Sequence, residues 1–160
     1  MSITIRVVGP TDGAFLQRVA PGVFDGPVDA RWSAEFLADP RHHLAIAIDD
    51  EIEDGQVVGM ASALHYVHPD KPPELWVNEV AVAPTHQGRG IGRQVMKALL
   101  AHARALGCRE AWVLTSYGNA AARRMYAAAG GFEEQEAPLM ITFDLAGGGD
   151  RQFPDQVKAG

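Results

Sequence analysis

From Ile3 to Val8 apolar and polar side chains alternate, the period-two pattern of a strand with one buried face. Thr11 offers a cap for a helix that continues through Phe15, Leu16 and Val19 and stops near Pro21. Residues 21–27 (PGVFDGP) read as a loop. Asp29 can cap a second helix that carries Trp32, Phe36 and Leu37 on one face and ends before Pro40. His43–Ile48 and Gln56–Val67 read as two strands joined by the acidic turn Asp49–Gly55, which predicts a hairpin. After the connector Asp70–Pro73, Val77, Val80 and Val82 give Leu75–Val82 the β-branched bulk of a strand that Pro84 ends. From Ile91 the apolar positions recur at Val95, Ala98, Leu99, Ala103 and Leu106, a helical spacing, with Gly107 placed for a left-handed C′ residue. Glu110–Thr115 suits an interior strand, Gly118–Ala129 an alanine-rich helix opened by Asn119 and broken by Gly130-Gly131, and Leu139–Leu145 a last strand.

A strand–helix–strand unit from Leu75 to Thr115 requires parallel neighbours with a right-handed crossover, while the flanking hairpins are antiparallel. The expected architecture is α/β (α+β). It has a mixed, mostly antiparallel central sheet of six to seven strands, with helices on both faces. Residues 1–145 form one domain, and the glycine-rich residues 146–160 a flexible tail.

The composition narrows the class. A chain of 160 residues that is 47% hydrophobic and 21% charged is large enough for one real core. Asp, Arg, His or Gly interrupts every apolar run, so no membrane span is expected. The opening MSITIRVVGPTDG lacks the basic-then-apolar order of a secretory leader. The single Cys108 excludes an internal disulfide and fits a cytoplasmic protein; its place after Gly107 suits a small buried thiol. A net charge of −6, from 20 acidic and 14 basic side chains, argues against a nucleic-acid partner and favours a cationic small molecule.

The chemistry concentrates where the strand ending at Val82 meets the helix starting at Ile91. Gly88, Gly90 and Gly92 let the backbone turn tightly and approach a ligand. A helix's first turn has unpaired N–H groups and partial positive charge, a site for phosphate. Arg89 and Arg93 add to that charge. The run Val82-Ala83-Pro84-Thr85-His86-Gln87-Gly88-Arg89-Gly90-Ile91-Gly92 resembles the signature of the GNAT N-acetyltransferases: a Val-x-Pro strand end followed by Gln/Arg-x-x-Gly-x-Gly/Ala, matched by Gln87, Gly90 and Gly92. It lacks both the Gly-Lys-Ser/Thr ending of a Walker A loop and the final spaced glycine of a dinucleotide fingerprint. Asn119, Ala122, Tyr126 and Gly130 are similar to a second GNAT element, Asn-x-x-Ala-x-x-x-Tyr-x-x-x-Gly, with one departure: Gly131 stands between Gly130 and Phe132.

The resemblance implies acetyl-CoA as co-substrate and no metal. Its pyrophosphate would lie on Gln87, Gly88, Arg89, Gly90, Ile91, Gly92 and Arg93. Backbone groups of Val80, Ala81 and Val82, on a bulged strand, would face the pantetheine and thioester, with Asn119 also on the pantetheine. Tyr126 would protonate the departing thiolate, and Glu79, the nearest acid, would deprotonate the amine. A core aromatic and an exposed strand acid are the plainer readings of Tyr126 and Glu79. Glu74 lies five positions before Glu79, which puts the two on opposite faces of a regular pleat. His86 is expected to point at solvent. Within the family the chain is most similar to the aminoglycoside 3-N-acetyltransferases, which makes Asp25, Asp29, Glu79, Glu133, Glu134 and Glu136 candidate acids for a cationic acceptor. Trp32 and Trp76 would line the cleft or pack in the core. A protein or peptide acetyltransferase and a non-catalytic acyl-CoA-binding module stay open as alternatives. A homodimer is expected by analogy with the fold.

Overall fold

The computed structural model describes residues 2–136 and 138–143. Five strands form one sheet in sequence order: β1 (Ile3–Val8), β2 (His42–Asp49), β3 (Gln56–Tyr66), β4 (Glu74–Val82) and β5 (Glu110–Val113). The first three pairings are antiparallel and β4–β5 is parallel, joined by helix α2 (Ile91–Ala105). Helix α1 (Ala30–Ala38) precedes β2, and α3 (Ala120–Ala128) follows β5.

The face that receives α2 is paved with small side chains. Ala45 pairs with Ala61, Ala47 with Gly59, and His43 with Ala63. A Cβ on Gly59 would stand 2.8 Å from the Ile91 Cγ2, so the helix rests directly on the strand there. Ile91, Val95 and Leu99, each 1% exposed or less, bury the apolar stripe of α2. Each such side chain contributes roughly 1.5–3 kcal/mol relative to exposure. On the opposite face α1 packs against β2, where the rings of Phe36 and His42 lie 5.0 Å apart.

Local chemistry fixes the helix ends. Asp29 caps α1 by accepting from the N–H groups of Arg31 and Trp32, both at 2.9 Å. After α2, Gly107 takes φ +87°, and the N–H groups of Gly107 and Cys108 bond the carbonyls of Arg104 and Ala103. This double closure is a Schellman motif. The same motif closes α3: Gly130 takes φ +100° while Gly131 N–H bonds the Tyr126 carbonyl at 2.9 Å. The additional glycine is therefore a cap residue.

Four expectations change. The predicted helix after Thr11 is a 3₁₀ turn, Gly13–Gln17, because Val19 is drawn out to bridge Val57 and Ala20 N–H bonds the Val57 carbonyl. Trp32 is 71% exposed, since it sits roughly 140° around the helix from the buried Leu37. The described sheet has five strands, not six to seven. Residues 139–143 carry no strand, so among the described residues β5 has a neighbour only on its β4 side; the end of that predicted strand and the tail 146–160 lie outside the described residues. No helix among the described residues is long and apolar enough to cross a membrane.

Candidate active site at the end of the fourth strand

The β3–β4 ladder contains the key irregularity. Ser62 pairs with Glu79 and Ala63 with Val77, so Asn78 is an extra residue on β4, a β-bulge. Before the bulge, Glu74–Val77 pairs with Glu110–Val113 of β5; beyond it no β5 partner exists. Val80, Ala81 and Val82 consequently pair with β3 on one edge and have no strand partner on the other among the described residues. Unpaired strand N–H and C=O groups of this kind are ready to bond an extended ligand.

The bulge also reverses the expected facing. Glu74, Trp76 and Glu79 pair with Tyr66, Leu64 and Ser62, alternate residues of β3 that share one face. Glu74 and Glu79 therefore stand on the same face, away from α2. Glu79 is exposed.

Val82 leads into the 3₁₀ turn Pro84–His86 and then the glycine turn. The Gln87 side-chain Nε2 donates to the Val82 carbonyl at 3.1 Å and ties the turn to the strand end. Gly88 and Gly90 both adopt φ +75°, a left-handed conformation that would strain any other residue. No heavy atom lies within 4 Å of where their Cβ atoms would be, so the turn faces open space. Gly90 is the N-cap of α2 and supplies no capping side chain, which leaves first-turn N–H groups available to an anion. Arg93 is exposed on that first turn.

His86 does not point at solvent. Its Nε2 lies 3.0 Å from Asp49 Oδ2 and its Nδ1 2.8 Å from Thr85 Oγ1, with only 11% of the side chain exposed. The His86 contact and the Glu51 N–H hold the Asp49 carboxyl below its ordinary range. This pair pins the glycine turn to the end of β2. Asp49 went unrecognised in the sequence because it looked like one more acid in an acidic turn.

Helix α3 closes the site from the other side. A Cβ on Gly92 would lie 3.6 Å from Val82 Cγ2 and 3.5 Å from Met125 Cγ, so Gly92 is the small joint between β4, α2 and α3. Next to Met125, Tyr126 packs on the core while its hydroxyl has no hydrogen-bond partner among the described residues. Burial raises its pKa, which keeps the phenol protonated. Asn119 caps α3 through its Oδ1 to Ala122 N–H at 3.1 Å, leaving its amide NH₂.

The acceptor acids predicted from sequence are scattered. Asp29 is engaged as the α1 cap, and Glu133 holds Arg123 through two contacts at 2.7 and 3.0 Å. Asp25, Glu134 and Glu136 are exposed. A hollow of about 480 Å³ lined by Arg6, Phe15, Asp50, Glu51 and Glu53 includes none of the predicted site residues. No group of side chains among the described residues is arranged to hold a metal ion.

A bulged strand whose outer edge is unpaired among the described residues, a left-handed glycine turn and a helix N-terminus together form a surface on which an extended phosphorylated ligand could lie. Residues 15–132 match the Acetyltransferase (GNAT) family, and the chain belongs to that family. It is 31% identical over 153 residues to a mycothiol acetyltransferase of Thermobifida fusca (strain YX), covering 91% of this chain and 44% of that protein. The chain thus spans about half the length of that relative. An aminoglycoside acetyltransferase from an uncultured soil metagenomic sample, in complex with trehalose, superposes with TM-score 0.70 at 16% identity, covering 89% of this chain and 97% of that one. The AAC(6')-Iy structure in complex with a bisubstrate analogue, CoA-S-monomethyl-acetylneamine, superposes with TM-score 0.69 at 24% identity, covering 90% and 99%. At these identities the likeness establishes the fold.

Proposed function

We propose that the protein is an acetyl-CoA-dependent N-acetyltransferase that moves acetyl directly to a primary amine of a small cationic molecule, with an aminoglycoside as the first substrate to try. The observation that carries this reading is the bulge at Asn78, which opens the Val80–Val82 edge beside the glycine turn. In this reading the N–H groups of residues 88–93 and the Arg89 and Arg93 side chains hold the pyrophosphate. The open edge of Val80–Val82 holds the pantetheine arm and polarises the thioester oxygen. Juxtaposing thioester and amine supplies a large effective concentration.

The proton path follows from the two faces. Glu79 accepts a proton from the ammonium, directly or through a water, and frees the lone pair that attacks the acetyl carbon. As the C–S bond breaks, Tyr126 donates its phenolic proton to the thiolate. The products are the amide and the free thiol. The aminoglycoside assignment is supported by the fold likeness and by the chain's acidity, and the 3-N position rests on the sequence resemblance alone. A thiol-release assay with acetyl-CoA against aminoglycosides, small polyamines and peptide amines tests the reading. Release with aminoglycosides or small polyamines but not peptides supports it, release only with peptides favours protein acetylation, and coenzyme binding without release reduces the protein to an acyl-CoA-binding module.

A further inference from the structure

The face of β3, β4 and β5 opposite α2 is arranged in rows. One row is Tyr66, Glu74 and Glu110; the next is Leu64, Trp76 and Trp112; the third is Ser62 and Glu79, where β5 has ended. The indoles of Trp76 and Trp112 stack with centroids 5.3 Å apart and planes 10° from parallel. Both remain partly exposed. Helix α1 packs on β2 and the neighbouring 3₁₀ turn, so among the described residues this side of the sheet carries no helix beside β4 and β5.

The aromatic pair is held in place. Trp112 Nε1 donates to Tyr66 Oη at 2.8 Å, and Tyr66 O–H donates to Glu74 Oε2 at 2.7 Å. Lys71 pairs with the other Glu74 oxygen. Lys71 and Tyr66 together pull the Glu74 pKa down to about 2, so the carboxylate is charged throughout the ordinary pH range. His68 stacks edge-on against Tyr66, and its buried Nε2, 3.6 Å from Glu74, has no hydrogen-bond partner among the described residues. Glu110 and Glu79 are exposed. Acids thus stand on both sides of a π surface, and the outer rows are about 13 Å apart along the strands. Indole faces attract cations, and carboxylates beside them add to that attraction.

We infer that this face is the acceptor subsite, and that it takes a ring-bearing polyamine whose ring lies against the Trp76–Trp112 pair while separate ammonium groups meet Glu79 at one end and Glu110 at the other. The inference rests on the transferase reading for Glu79's role, but the binding surface is testable alone. The amine at Glu79 is the one beside the open strand edge, hence the one acetylated. A linear amine such as spermidine can meet the acids but forgoes the stack.

Calorimetric titration with neamine, spermidine and trehalose separates ring, charge and their combination. Neamine should bind at least tenfold tighter than spermidine, and trehalose should not bind measurably. Trp76→Leu should weaken neamine at least tenfold and leave coenzyme A affinity unchanged. Glu110→Gln, an exposed change that cannot unfold the sheet, should weaken neamine about threefold. Should Trp76→Leu misfold, Trp76→Phe keeps a smaller ring and should fall between. Equal neamine affinity in wild type, Trp76→Leu or Trp76→Phe, and Glu110→Gln overturns the subsite. Neamine binding that depends on Trp76 without thiol release overturns the transferase reading and leaves the subsite standing. Thiol release with an unmoved neamine KM in Trp76→Leu does the reverse.

Discussion

Glu74 and Glu79 share one face of β4 although five positions separate them, and the single extra residue Asn78 is the cause. The same residue ends the pairing to β5 and opens the strand edge at Val80–Val82. One backbone insertion thus sets the facing of an acid and the opening of a cleft.

Deleting Asn78 separates these two effects. Val77 and Glu79 would then pair in regular succession with Ala63 and Ser62, so Glu79 keeps its face while the bulge disappears. The ladder becomes regular and β5 can extend alongside it. Coenzyme A affinity should fall at least tenfold, with thermal stability unchanged or raised. Retained affinity in a folded deletion variant would show that the open edge does not hold the coenzyme.

Tyr126 supplies the second prediction. Its hydroxyl is unpartnered among the described residues, and partial burial raises its pKa so that it keeps its proton. Tyr126→Phe removes one oxygen and leaves the packing against the core. Turnover should drop by about a hundredfold or more, the usual worth of general acid catalysis, with coenzyme affinity nearly intact. Unchanged turnover and an unchanged pH–rate profile would remove Tyr126 from the proton path.

Much of this architecture was legible in the sequence because its signals are local. Asp29 as a cap, Gly107 as a C′ glycine and the stripe from Ile91 to Ala103 each follow from neighbours a few positions away. The glycine turn was legible for the same reason. What escaped depends on partners distant in the chain. The Asn78 bulge is defined only by the register against β3, so side-chain alternation alone predicted the wrong facing for Glu79. His86 seemed solvent-directed because its partner, Asp49, is 37 positions away. The helix after Thr11 was lost to a bridge between Val19 and Val57.

Three histidines give the fold a built-in acid sensitivity. His43 Nε2 lies 2.8 Å from His65 Nδ1, and its Nδ1 lies 3.0 Å from His102 Nε2. Burial first, then the neighbouring imidazoles His102 and His65, lower the His43 pKa to about 4. The unfolded chain binds a proton there near pH 6.5 and the folded chain does not, so between these values the unfolded state holds more protons. Stability from this group is full above pH 6.5 and declines as pH falls toward 4, by up to about 3 kcal/mol. Denaturant titrations at pH 7.5 and 4.5 should show that loss, and His43→Gln should flatten it. An equally steep decline in the variant would assign the sensitivity to other groups.

The last prediction concerns the seat of α2. A methyl group on Gly59 would stand 2.8 Å from Ile91 Cγ2 and 3.5 Å from Val82 Cγ2, and Ile91 is fixed in the core at the first position of the helix. Its Cγ2 branches directly from Cβ and cannot swing away without a rotamer change. Gly59→Ala should therefore cost about 1–3 kcal/mol in chemical denaturation, the usual penalty for overpacking. It should also lift the N-terminus of α2 away from β4, just where the anion-binding N–H groups begin. Coenzyme affinity should weaken in parallel with stability, whereas Gly26→Ala, with nothing within 4 Å of its Cβ, should alter neither. A Gly59→Ala protein of undiminished stability and coenzyme affinity would mean that the sheet and α2 are not held at the close approach on which the phosphate cradle depends.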